Sequence, residues 1–171
     1  MRFTLSRCGM IVFLAGVAAP AIARAAKGDW FLDLNLGSWH SEKNYRWEGH
    51  VQRYNQRNLG LGASYQLKEW CDAKVGWFEN SYEKISAYGL LNGHWEVARY
   101  GGWTFSPGVA GGIISGYQNT PEQTGAVAPW GMVTLTVASP GRWRVNLGYI
   151  PSRLFVTNSV EVATLQLSFK L

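Results

Sequence analysis

The stretch Leu165-Gln166-Leu167-Ser168-Phe169-Lys170-Leu171 alternates without a break, large apolar residues at odd numbers and polar ones at even numbers. Successive side chains of a β-strand point to opposite faces, so this segment reads as a strand with one apolar and one polar face. Apolar side chains at every second position, with small or polar residues between them, are the mark of a strand crossing a membrane in a barrel. A soluble edge strand can also alternate, but four large apolar groups on its outward face would make it an aggregation template.

The same period recurs upstream. Leu32, Leu34 and Leu36 alternate with Asp33, Asn35 and Gly37, and Leu59, Leu61, Ala63, Tyr65 and Leu67 alternate with Asn58, Gly60, Gly62, Ser64 and Gln66. Ala73, Val75 and Trp77 form a third strand, and Ile85, Ala87, Gly89 and Leu91 a fourth. A fifth runs from Phe105 to Tyr117, a sixth carries Val133, Leu135 and Val137, and a seventh alternates Trp143, Val145, Leu147 and Tyr149 with Arg144, Asn146 and Gly148. With the opening stretch the number is eight, an even number that closes without an exposed edge. The expected fold is all-β, an eight-stranded antiparallel up-and-down outer-membrane β-barrel with no helix in the mature chain.

Connection lengths orient it. Lys68-Glu69 and Ser139-Pro140-Gly141 are tight turns, and the segment from Gly93 to Gly101 falls on the same end. Segments 41–57, 79–84, 116–128 and 151–160 lie at the opposite end, the outer rim if short turns are periplasmic. His40, Arg53, Tyr54, Asn55, Asn80, Ser81 and Pro151 then share that rim. Trp39, Trp77, Trp130, Trp143 and Tyr149, near strand ends, suit an interfacial aromatic girdle. The inward positions Gly37, Gly60, Gly62, Ser64, Gly76 and Gly148 are small, whereas Gln66, Arg144 and Lys170 are large enough to plug the interior. A barrel this narrow is filled by side chains or holds one slim ligand.

Composition agrees and excludes other classes. Arg2 and Arg7, the apolar run Met10–Ala19 and the triplet Ala23-Arg24-Ala25 have the layout of a secretory signal peptide over 1–25, leaving 26–171 as a single barrel domain. Of 16 Lys and Arg residues, Arg2, Arg7 and Arg24 lie in that segment, leaving 13 against 11 acidic residues and no basic run to suggest nucleic acid. Cys71 is the one remaining cysteine, so no intrachain disulfide is expected. No GxSxG, HExxH, CxxC or phosphate-cradling loop occurs, and His40, His50 and His94 lack metal-ligand spacing, so neither cofactor nor metal is expected. One pairing carries chemistry: His40 ends the first strand and Ser81 opens the second outer loop, which brings a potential proton acceptor and a hydroxyl to one rim.

Trp39-His40, then Arg53-Tyr54-Asn55 and Gly60-Leu61-Gly62, then Trp77-Phe78-Glu79-Asn80-Ser81 with Ala87-Tyr88-Gly89, and finally Gly148-Tyr149-Ile150-Pro151 resemble, in order, the lipid A palmitoyltransferase family, PagP. The resemblance spans most of the mature chain. It implies transfer of an acyl chain from a phospholipid to lipid A in the bacterial outer membrane, with a barrel interior that measures the chain. Carried over position by position, it implies His40, Asn80 and Ser81 as catalytic residues: His40 as general base, Ser81 orienting or polarising, and Asn80 donating a hydrogen bond. It also implies lipid contacts for Arg53, Tyr54, Tyr88, Gly89, Pro129 and Pro151, the prolines loosening strand pairing so that lipid can pass sideways. Asn80 departs from the family's Asp, and an amide cannot take a proton as a carboxylate does. The family's amphipathic helix before the first strand has no counterpart in the few residues ahead of Trp30. Two readings stand: a phospholipid:lipid A acyltransferase, or a structural or lipid-binding barrel that keeps the family frame. Either has membrane lipids (phospholipid, lipopolysaccharide) as partners, no nucleic acid, and no need of a second subunit.

Overall fold

A computed structural model describes residues 25–120, 125–152 and 160–171. The signal-peptide reading of residues 1–25 lies, but for Ala25, outside them. In chain order the strands are β1 (Trp30–His40), β2 (Asn44–Trp47), β3 (His50–Arg53), β4 (Gly60–Lys68), β5 (Cys71–Glu79), β6 (Ile85–His94), β7 (Ala98–Tyr100), β8 (Trp103–Ser115), β9 (Val127–Ala138), β10 (Trp143–Ile150) and β11 (Val162–Lys170). No helix occurs among the described residues.

Eight of these strands form the barrel. Each pairs antiparallel with its chain neighbour, β6 pairs with β8, and β1 pairs with β11 to close the ring. The expected eight-stranded up-and-down barrel is therefore the observed architecture. Strands β2 and β3 form a separate hairpin within the first outer segment, and the three-residue β7 extends a turn at the opposite end. The sixth barrel strand is longer than its three valines and leucines suggest, because β9 begins at Val127 and takes in Pro129.

Burial is inverted relative to a soluble domain. Asp33, Ser64, Gln66, Asn80, Ser86 and Ser168 have no exposed surface, while Trp39, Val75, Trp77, Val109 and Ile113 stand outside. Such an outer surface is stable only against lipid, and ring closure leaves no edge strand in it. The half of the interior nearest the tight turns is a polar plug. Asp72 Oδ2 lies 3.3 Å from Arg144 Nη2 and 3.5 Å from His94 Nε2, and Arg144 Nη1 donates to Gln66 Oε1 at 3.3 Å. The Asp33 carboxylate accepts from the Ser64 and Ser168 hydroxyls. Thus Gln66 and Arg144 do plug the barrel, while Lys170 instead pairs with Asp29 at 2.6 Å near the rim.

The outer half is lined by two apolar clusters. Tyr54, Ile150, Val160 and Val162 form one, Tyr88, Leu90, Ile114 and Ala128 the other, and Trp130 and Met132 pack against both. Trp130 therefore belongs to the inner wall, not to the aromatic girdle, because β9 directs 128, 130 and 132 inward.

Two of the small inward residues make room for a tyrosine. A Cβ on Gly62 or Gly76 would sit 2.5 or 2.6 Å from the Tyr88 hydroxyl and within 2.7 Å of a backbone carbonyl across the ladder. The Gly148 position is likewise filled, by the Met132 sulfur and the Thr164 hydroxyl. These glycines do not create the void; they admit the side chains that bound it. Gly76→Ala is expected to cost about 1–3 kcal/mol by overpacking, read as a lower temperature for loss of the compact band in heat-modifiability gels.

Candidate functional site

His40 reaches the interior through a β-bulge. Phe31, Asp33 and Asn35 face inward in strict alternation, which continued would send His40 out to lipid with Leu36. The ladder to β11 instead skips one residue, pairing Asn35 with Gln166 but Gly37 with Leu165. The extra residue resets the parity, so Ser38 and His40 turn inward and Trp39 outward. Gly37 therefore does not hold the simple inward position expected of it. Its lack of a side chain serves the returning loop, since a Cβ there would come within 2.7 Å of the Gln56 carbonyl. That carbonyl accepts from Ser38 N at 3.0 Å.

The loop then builds the site around the histidine. Tyr54 is buried and stacks face to face on His40, with ring centroids 4.3 Å apart and planes within 2°. Tyr45 of β2 and Tyr82 pack against Tyr54 and each other at 4.8 to 5.7 Å. Asn55 N donates to the Ser81 carbonyl at 2.9 Å, tying the first outer loop to the second. His40 Nε2 and Ser81 Oγ are 2.8 Å apart, a hydrogen bond between residues 41 positions apart in sequence. For the hydroxyl to donate, Nε2 must be the bare nitrogen and Nδ1 must carry the proton. Nδ1 is buried, with no partner among the described residues. The geometry is a histidine–serine dyad held by an aromatic stack, not a triad.

Asn80 lies next to this pair but is committed elsewhere. Its Oδ1 accepts from Tyr82 N at 2.9 Å and Lys84 N at 3.1 Å, and its Nδ2 donates to Ser86 Oγ and the Gly116 carbonyl, both at 3.0 Å. Gly116 has φ +87°, and a Cβ there would approach the Ile85 carbonyl at 2.4 Å, so glycine is needed for that carbonyl to meet Asn80. The amide organises the turn that presents Ser81.

Beneath the dyad lies a cavity of about 140 Å³. Its lining runs from His40, Tyr54 and Ser81 at the mouth, past Ile114, Trp130, Met132 and Val162, to Asn35, Lys74, Tyr88 and Gln166 at the floor. Tyr88 crosses the barrel as a beam, its hydroxyl accepting from Gln166 Nε2 at 3.3 Å and Asn35 Nδ2 at 3.4 Å. Gly89, by contrast, alternates outward on β6 and is absent from the lining. Arg53 is exposed at the end of β3, and Pro151 follows β10 half-buried, both outside the lining. Pro129 sits on the barrel wall at the cavity's edge. Between β9 and β10 the described ladder stops at Val133–Tyr149, leaving residues 127–132 of β9 without a β10 partner among the described residues. Pro129 lies in that stretch, where it pairs only with β8, and Pro151 directly follows β10. Sequence reasoning brought His40 and Ser81 together but missed the Tyr54 stack and the role of Asn55. The Arg53-Tyr54-Asn55 run was their one visible sign.

The fold and interior define a transmembrane β-barrel with an apolar slot under a His–Ser mouth. Among solved structures, a de novo designed transmembrane β-barrel matches with a TM-score of 0.57 at 13% identity, over 87% of this chain and 100% of that one. The outer membrane protein AlkL, solved by solid-state NMR in DMPC bilayers, matches with a TM-score of 0.40 at 15% identity, over 94% of each chain. The first likeness supports the fold and nothing finer. No family model matches the chain, and no curated protein matches it.

Proposed function

We propose that this chain is a bacterial outer-membrane acyltransferase that moves an acyl chain from a phospholipid to lipid A. The observation that carries the reading is the 2.8 Å His40–Ser81 hydrogen bond at the mouth of an apolar slot. In this reading the donor phospholipid slips through the unpaired β9–β10 region flanked by Pro129 and Pro151, and its acyl chain lies in the slot. A lipid A hydroxyl attacks the ester carbonyl carbon and gives its proton to the Ser81 oxygen, as Ser81 passes its own hydroxyl proton to His40 Nε2. The ester C–O bond then breaks, and the imidazolium returns that proton to the departing lysophospholipid oxygen. Ser81 holds the ring through its hydrogen bond, Tyr54 fixes the ring plane by stacking, and Asn80 holds the turn that carries Ser81. Arg53, exposed on the outer hairpin, is placed to meet a lipid phosphate.

The unpartnered His40 Nδ1 favours the second reading, a lipid-binding barrel without transfer, because no acceptor among the described residues stabilises an imidazolium. The two readings separate on the lipid A of a host that lacks an enzyme of this kind and expresses this protein. Mass spectrometry is expected to show lipid A heavier by one acyl chain, with the increment lost in Ser81→Ala. Unchanged lipid A, with a heat-modifiable barrel in the membrane, would leave the lipid-binding reading.

A further inference from the structure

We propose that the slot is also a binding site for a free medium-chain fatty carboxylate. It is held head-down, with its carboxylate on Lys74 and Tyr88 and its tail pointing toward the mouth. The site needs neither His40 nor Ser81 and stands whether or not the barrel transfers acyl groups.

The floor holds more donor hydrogens than its protein acceptors take up. Lys74 lines the cavity and is 5% exposed. One of its three N–H groups donates to Gln166 Oε1 at 2.9 Å, and Asp72 Oδ1 lies 3.9 Å away, beyond hydrogen-bond reach. The Tyr88 oxygen already accepts from Asn35 and Gln166, and its own hydrogen has no acceptor among the described residues. Asp72 Oδ1 has no hydrogen-bond partner among the described residues but reaches Lys74 only as an ion pair, and the other nearby acceptors are occupied. Gln166 Oε1 takes Lys74 and, at 3.3 Å, Asn146 Nδ2. Asp33 takes two serine hydroxyls, and Asp72 lies against Arg144 and His94 in the plug. An alkyl end on this floor gives the spare ammonium N–H groups and the phenol hydrogen no acceptor. A carboxylate accepts from both, in the charge-assisted geometry that makes the strongest hydrogen bonds.

The walls and size fix the rest of the ligand. Above the floor the lining is mostly apolar, with Ile114, Ala128, Trp130, Met132, Ile150 and Val162 beside the hydroxyl of Thr164, which suits a tail. A cavity of about 140 Å³ is near the ~150 Å³ of an engineered apolar cavity that takes up one benzene, so the ligand has roughly six to ten carbons. Length agrees. From Asn146 to Ile150 the β10 lining rises roughly 13 Å along the strand, or about 10 Å along the barrel axis at a tilt near 40°. An extended alkyl chain, at about 1.25 Å per carbon from ordinary bond lengths and angles, covers that with about eight carbons.

The test uses the full mature barrel in micelles and decanoate labelled with ¹³C at the carboxyl carbon. Decanoate merely dissolved in the micelle keeps its carboxylate at the surface, where a water-soluble gadolinium chelate broadens it. Head-down binding is expected to give a carboxyl signal protected from the chelate, with decanol binding about tenfold more weakly. Lys74→Gln is expected to weaken decanoate about tenfold or more and to leave decanol nearly unchanged. Tyr88→Phe keeps the ring and its packing, and is expected to lose a few-fold; it serves if Lys74→Gln does not fold. A carboxyl carbon as exposed as in protein-free micelles, or decanoate affinity unmoved in the folded variants, would overturn the proposal.

Discussion

Asn80→Asp lowers the stability of the barrel by about 2–3 kcal/mol and does not raise acyl transfer. This is the expected result although the change installs the residue type that the resembling family uses. Two of the amide's roles are donor roles: Nδ2 gives hydrogen bonds to Ser86 Oγ and to the Gly116 carbonyl. Ser86 can turn its hydroxyl to donate instead, but the carbonyl cannot, so a carboxylate oxygen would face a carbonyl oxygen where Asn80 has no exposed surface. The two contacts to Tyr82 N and Lys84 N survive the change. Because the side chain serves the 80–84 turn and β8's end, the new charge gains no bond to His40. Thermal unfolding in micelles reads the first part, and transfer to lipid A the second. A more active Asn80→Asp barrel would show that the carboxylate swings to His40 Nδ1 and that the turn tolerates its departure.

Tyr88→Ala carries the other large effect. Losing a ring that crosses the barrel removes part of the floor, and a cost of about 3–5 kcal/mol follows from the cavity alone. The slot then continues past Gly62 and Gly76, whose missing side chains leave the vacated space open. Under the acyl-transfer reading the preferred chain lengthens, from roughly six to ten carbons toward longer chains, measured as the acyl increment on lipid A. Tyr88→Phe, which keeps the beam, should leave the preference where it was. If both variants transfer the same chain as the parent, Tyr88 does not set the depth.

The eight strands were legible because lipid sees one face of each: the period of two in Leu165–Leu171 or Trp143–Tyr149 survives wherever neither face changes its role. It fails where backbone irregularity resets the parity. Strict alternation placed Gly37 inside and gave His40 no reason to be there; the bulge that turns His40 inward is a pairing event between β1 and β11, which no local pattern in residues 35–37 announces. Trp130 read as a girdle residue because an aromatic near a strand end usually is one. The apolar slot gives it an inner partner instead. In the β2–β3 hairpin, β3 is exposed on both faces and β2 turns only Tyr45 and Trp47 partly inward, too short a run for a period to be read. The pairing of His40 with Ser81 followed from counting strands and assigning ends. The Tyr54 stack and the self-contained bonding of Asn80 depend on how two loops fold over each other, and that information is tertiary.

The central claim, a His40–Ser81 dyad that transfers an acyl chain, is tested most directly with the purified barrel in mixed micelles of lipid A and phospholipids. The phospholipids carry a radiolabelled acyl chain of eight, ten, twelve or sixteen carbons. The account predicts label appearing on lipid A together with an equal amount of lysophospholipid, fastest with the shorter chains and absent in His40→Ala and Ser81→Ala. Label that stays on phospholipid at every chain length, with the barrel folded, would contradict it.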